Sequence, residues 1–64
     1  MKSYLAVDKN GEEFIYNALP NRQGDRFYNQ KSHGEYHSVE LPKGSIEKLL
    51  GRKLTWQDEP QMIE

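Results

Sequence analysis

Short apolar runs bounded by turn residues mark strands along the first two thirds of this chain, the alternation of apolar and polar positions is clearest at Tyr36–Leu41, and the period changes near residue 42. Tyr4-Leu5-Ala6-Val7 is short and β-prone. Asp8-Lys9-Asn10-Gly11 follows. Asp favours the first position of a type I turn, and Gly can take the left-handed conformation that closes a three-residue hairpin loop with a bulge. The competing two-residue Asn-Gly turn would set Asp8 opposite Glu13, a like-charge pair, so the bulged turn is preferred. The returning strand is Glu12–Tyr16, with Phe14 and Tyr16 on one face and Ile15 on the other. Apolar groups on both faces suit a curled sheet or small barrel better than a flat, one-sided sheet.

Asn17 to Asp25 has no period, contains Pro20 and Gly24, and reads as a loop. Arg26–Asn29 reads as a third strand, Lys31-Ser32-His33-Gly34 as a turn and Tyr36–Leu41 as a fourth strand. In that strand His37, Val39 and Leu41 share one face. From Pro42 the pattern is helical, because Ile46, Leu49 and Leu50 form one stripe at i, i+3, i+4. Pro42 suits the first helical position and Gly51 a left-handed stop, which places the helix at about residues 42–50. Glu40 before it and Lys48, Arg52 and Lys53 at or past its end match the helix dipole. In the tail, Thr55 and Asp58 resemble a capping box for a single helical turn over Trp56–Glu59 that stops before Pro60, and Gln61–Ile63 is a candidate last strand.

The expected fold is therefore α+β and mostly β. It is a single domain over residues 1–64, an antiparallel sheet of four or five strands with one short C-terminal helix. A partly open, SH3-like barrel is the sharper form of this expectation. The expected core is Leu5, Val7, Phe14, Ile15, Phe27, Val39, Leu41, Ile46, Leu49, Leu50, Leu54 and Trp56.

Composition narrows the function more than the fold. The chain has 64 residues and no cysteine, so no disulfide staples it, and small unstapled folds often gain stability by forming homodimers. Val, Ile, Leu and Phe number only 13 of 64, but the net charge is −1, so charge repulsion does not drive disorder. The same near-neutral balance weighs against strong nucleic-acid binding and against an acidic mimic of DNA. Met1-Lys2-Ser3-Tyr4-Leu5 has no apolar signal-peptide core, and no apolar run approaches a membrane span. A cytoplasmic location follows by default.

Two segments also look familiar. One is Glu40-Leu41-Pro42-Lys43-Gly44-Ser45-Ile46-Glu47-Lys48-Leu49-Leu50-Gly51-Arg52-Lys53-Leu54-Thr55-Trp56, with Asp58-Glu59-Pro60 after it. The other is Val7-Asp8-Lys9-Asn10-Gly11-Glu12-Glu13-Phe14-Ile15-Tyr16. Together they resemble small bacteriophage- and prophage-encoded proteins of gut bacteria. The resemblance leaves out Asn17 to Tyr36. Its matched positions are turn, helix and packing residues, so it implies a shared fold and a phage origin and carries over no activity and no functional residue.

Candidate chemistry is sparse. His33 and His37 are four apart, but on an extended strand that separation is about 13 Å, too far to share a zinc ion. No serine sits in a nucleophile elbow, the glycines form no phosphate loop, and the Glu12-Glu13 and Asp58-Glu59 pairs read as solvated turn and cap carboxylates. The expectation is of no enzyme, no metal and no cofactor. The suggestive surface is the middle segment, where Arg22, Arg26 and Lys31 interleave with Phe27, Tyr28 and Tyr36. Tyr and Arg are enriched in protein-binding patches, and small β-barrels bind single-stranded nucleic acid with aromatic platforms and basic grooves. The plainer reading puts Phe27 in the core, Tyr28 and Tyr36 at the sheet edge and the basic groups in solvent. Candidate binding residues are thus Arg22, Arg26, Tyr28, Lys31 and Tyr36. They suggest a non-catalytic interaction module for a host or phage protein, with a weak single-stranded nucleic-acid binder or a structural homo-oligomer as alternatives.

Overall fold

The computed structural model describes residues 2–29 and 37–64. Strands β1 (Ser3–Val7) and β2 (Glu13–Tyr16) form the first hairpin, and β3 (Asn21–Gln23) and β4 (Arg26–Tyr28) form a second. Strand β5 (Ser38–Leu41), helix α1 (Ser45–Leu50) and strand β6 (Gln61–Ile63) follow. Four strands make an antiparallel sheet in the order β5-β2-β1-β6, and β3 and β4 form a separate two-stranded sheet.

The first turn takes the bulged register. Gly11 N–H donates to Asp8 O and Asp8 N–H to Glu12 O, both at 2.9 Å. Gly11 has φ +91°, the left-handed residue such a bulge requires. The second hairpin pairs β3, which lies inside the stretch that reads as a loop, with β4, which matches the third strand read at Arg26–Asn29. Its two central residues are Gly24, at φ +62°, and Asp25, whose φ is not positive, the pattern of a tight type II′ turn. Asn21-Arg22-Gln23 is a three-residue strand with no apolar position to show alternation, which is why β3 is hidden in the sequence while β4 is not.

The sheet is covered on both faces, and it does not close into a barrel. On one face Leu5 and Val7 pack with Ile46 and Leu54, joined by Ile15, Leu41, Leu50 and Ile63. On the other, Ala6 and Tyr16 pack with Phe27 from β4, joined by Tyr4, Phe14 and Trp56. Apolar groups on both sides of the first hairpin are thus satisfied by two thin cores, a helix above and a hairpin below.

The reason the second hairpin docks without extending the sheet is visible at Phe27. Its N–H donates to Asp8 Oδ1 at 2.9 Å, and its carbonyl accepts a long bond of 3.4 Å from Tyr16 Oη. Side chains of the main sheet occupy the backbone groups that another strand would have used. Lys9 N–H adds a bond to Asp25 O, so the two turns touch.

Several expectations are corrected. The helix does not begin at Pro42; its cap is Gly44, at φ +95°, and Pro42 O instead accepts from Ser45 N–H and Oγ–H. It is not C-terminal, because β6 follows it and pairs with β1. Glu40 does not serve the helix: it lies on β5 opposite Phe14. Glu13 does, accepting from Gly44 N–H at 2.8 Å and Ile46 N–H at 2.9 Å. Gly51, at φ +77°, ends the helix with its N–H on Glu47 O, as its position predicts. One capping-box bond forms, Thr55 N–H to Asp58 Oδ2 at 2.7 Å, but Thr55 Oγ1 accepts from Gln57 N–H at 3.2 Å while Asp58 N–H goes to Thr55 O, and the expected helical turn over Trp56–Glu59 is a non-helical turn.

Val39 and Leu49 leave the expected core, at 60% and 57% exposure, while Ala6 and Tyr16 enter it. A six-residue helix is about 9 Å long, and four strands span about 14 Å, so α1 cannot cover the β5 edge where Val39 sits. The helix turns Ile46 and Leu50 inward, which leaves Leu49 on its rim. The fourth strand was expected from Tyr36, which lies outside the described residues; β5 begins at Ser38.

Candidate functional site

The register of the second hairpin divides the basic and aromatic residues of the middle segment. Arg22 pairs with Phe27, while Asn21 pairs with Tyr28 and Gln23 with Arg26. Directly opposed residues share a face, so Arg22 lies with buried Phe27, and Arg26 and Tyr28 lie on the other side. Lys31 and Tyr36, the remaining candidates, lie outside the described residues, as does His33.

Arg22 is tied into the fold. Its guanidinium carbon stacks 4.9 Å from the Phe27 ring centre and 4.6 Å from that of Trp56, and those two rings meet edge to face at 5.3 Å. Its Nη2 donates to Trp56 O at 2.6 Å and Asp58 O at 3.0 Å, and its Nη1 lies 3.3 Å from Glu59 Oε2. A planar guanidinium between two rings and two carbonyls is a latch joining β3 to the 56–59 turn. Both terminal nitrogens of its fork are already engaged.

Arg26 is freer. Its Nε lies 3.6 Å from Asp8 Oδ2, and its guanidinium carbon stands 5.6 Å from the exposed Tyr28 ring. Asp8 itself is only 2% exposed, with one oxygen on Phe27 N–H and the other beside Arg26. This environment acts on Tyr16, whose hydroxyl pKa is pushed up to about 12 by burial first and by the Asp8 charge second, against a smaller opposing pull from Arg26. Asp8, Tyr16, Arg26 and Tyr28 line a small cleft of about 220 Å³ between the sheet and the hairpin.

A larger cleft opens elsewhere. It has a volume of about 730 Å³ and lies between the first turn, the start of α1 and the segment 53–57. Its floor includes the buried side chains of Val7, Ile46 and Leu54, with Trp56 at one side. Lys9, Lys43 and Lys53 also line it. Lys9 stands 3.7 Å from Asp25, while Lys43 and Lys53 have no acidic partner among the described residues. Of the acids lining this space, Glu13 has both oxygens on backbone N–H groups of the helix start and Asp8 is engaged as above, which leaves Glu47. The cleft is thus lined by acids and lysines alike, and the charged side chains left without a partner among the described residues are Lys43, Lys53 and Glu47, set over an apolar floor. No local motif announces this cleft, because its walls come from three stretches far apart in sequence; the only hint is that Lys43 and Lys53 bracket the helix.

Among the described residues no three His, Cys, Asp or Glu side chains gather to hold a metal ion, and no helix is long and apolar enough to cross a membrane. Comparison with protein-family models, with curated proteins and with solved structures finds no match to this chain.

Proposed function

We propose that this domain is a non-catalytic binding module that receives a short acidic segment of a protein partner, anchored by an apolar side chain, in the cleft beside α1. The observation that carries this reading is the cleft of about 730 Å³, floored by Val7, Ile46 and Leu54 and edged by Lys43 and Lys53, which have no acidic partner among the described residues. Clefts of a few hundred to a thousand Å³ with an apolar floor and a few placed charges are the usual form of a ligand site. Lysine at the rim favours carboxylates and speeds their encounter. On the resemblance of the chain's two ends to phage-encoded proteins, the partner is a host or phage protein. The single-stranded nucleic-acid alternative draws less support. The hairpin pleat separates Arg22 from Arg26, and Arg22 has its donors on Trp56, Asp58 and Glu59.

Selection of random peptides on the immobilised domain tests the reading. The expected result is enrichment of peptides combining Asp or Glu with a large apolar residue. Their binding should change the fluorescence of Trp56, the only tryptophan, and should be lost in a Lys43→Glu, Lys53→Glu double variant. Failure to enrich any peptide, or enrichment indifferent to those two lysines, would overturn it.

A further inference from the structure

Strand β5 forms one border of the four-stranded sheet, and its outer edge pairs with no strand among the described residues. Which of its backbone groups face outward follows from the hairpin register. Asp8 and Glu12 are joined by a backbone bond, and hydrogen-bonded pairs recur at every second position. Ala6–Phe14 and Tyr4–Tyr16 are then the bonded pairs of β1 and β2. Phe14 and Tyr16 thus turn their backbone towards β1, and Glu13 and Ile15 turn theirs towards β5. The Asn17 N–H bond to His37 O, 3.2 Å, continues the same parity. On β5, Val39 and Leu41 therefore face β2, and Ser38 and Glu40 direct N–H and C=O outward. Pro42 is next in that parity and has no N–H, so the open edge ends there.

We infer that this edge pairs with the β5 edge of a second copy of the chain, antiparallel, about a two-fold axis at Val39. In that register Ser38 of each copy exchanges both backbone bonds with Glu40 of the other, so all four outward groups of each copy are satisfied. Val39, 60% exposed, meets its symmetry mate at a non-hydrogen-bonded position, where side chains approach most closely. The Ser38 hydroxyl stands beside the Glu40 carboxylate of the other copy as a donor. A two-fold at Glu40 would oppose two carboxylates, and one at Ser38 would set Val39 against His37 and lose the apolar pair. The favoured register joins two four-stranded sheets into one of eight. Few residues take part, so the dimer is weak and concentration-dependent.

Sedimentation equilibrium from micromolar to millimolar concentration tests this, with amide hydrogen exchange on the same samples. The expected result is an apparent mass rising from 7.5 kDa towards twice that value, with exchange at Ser38 and Glu40 slowing as concentration rises. Val39→Lys should hold the chain at monomer mass. Glu40→Pro should do the same and leave the monomer fold intact, because the N–H it removes points away from β2. A monomer at every concentration overturns the inference. So does a dimer that survives both substitutions, or one that leaves the Ser38 and Glu40 amides unprotected.

Discussion

The Arg22 guanidinium carbon lies 4.6 Å from the centre of the Trp56 ring, and Arg22 Nη2 donates to the Trp56 carbonyl at 2.6 Å. One side chain thus holds a turn that is 34 residues away in sequence. Arg22→Lys keeps the charge and loses the planar fork, so it should destabilise the fold by about 1–3 kcal/mol in urea unfolding. Glu59→Gln removes only a solvent-exposed ion pair and should cost under about 1 kcal/mol. A lysine variant as stable as the parent would show that the latch is not what joins β3 to the 56–59 turn.

Asp8 should be more sensitive to truncation than to loss of charge. Asp8→Ala leaves the Phe27 N–H without an acceptor inside the fold and should cost about 2–4 kcal/mol. Asp8→Asn keeps an oxygen for that N–H and gives up only the attraction to Arg26, so its loss should be clearly smaller. Urea melts give the order of the two variants, and exchange at the Phe27 amide locates the damage.

Glu13 caps α1 from a neighbouring strand. Glu13→Ala frees the N–H groups of Gly44 and Ile46 and should cost about 1–2 kcal/mol, with a loss of ellipticity at the helix band. Glu13→Gln retains one acceptor oxygen and should fall between the two. Unchanged exchange at the Gly44 and Ile46 amides in the alanine variant would count against the cap.

Tyr16 gives the fold an alkaline limit. Its pKa is about 12 in the folded chain against 10.0 for an ordinary tyrosine, so between these values the folded state holds the proton more tightly than the unfolded one. Its contribution is complete below pH 10 and is lost as pH rises towards 12, at up to about 1.4 kcal/mol per pH unit. Tyr16→Phe should be less stable than the parent at neutral pH, by about 1 kcal/mol for the lost bond to Phe27 O. The gap should narrow above pH 10. Parallel pH profiles of the two proteins would refute the shift.

The features that could be read from the sequence are those decided within a few residues. The Asp8–Gly11 turn and the Gly51 helix stop each arise from residues close in succession and are present as read, and of the Thr55–Asp58 capping box the Thr55 N–H to Asp58 bond forms without the helical turn. The candidate binding residues fared differently, because strand pairing decides which side each one faces. Arg22 and Arg26 are four apart in sequence and lie on opposite faces, since one is paired with Phe27 and the other with Gln23. The cleft beside α1 is hinted at only by Lys43 and Lys53 on either side of the helix, because its walls come from separated segments that meet only when the helix docks.

By itself, the sequence determined a small, mostly β domain with one short helix between β5 and the tail, because period, glycine placement and capping chemistry act over one or two turns of chain. Only the tertiary structure decided that the sheet is covered on both faces without closing, that the Asp8 side chain reaches out of its turn to hold Phe27, and that Glu13 caps a helix some thirty residues away. Those outcomes rest on competition for buried backbone groups. A carboxylate or hydroxyl that reaches an unpaired N–H or C=O takes the place of a strand, and no local pattern records which one arrives.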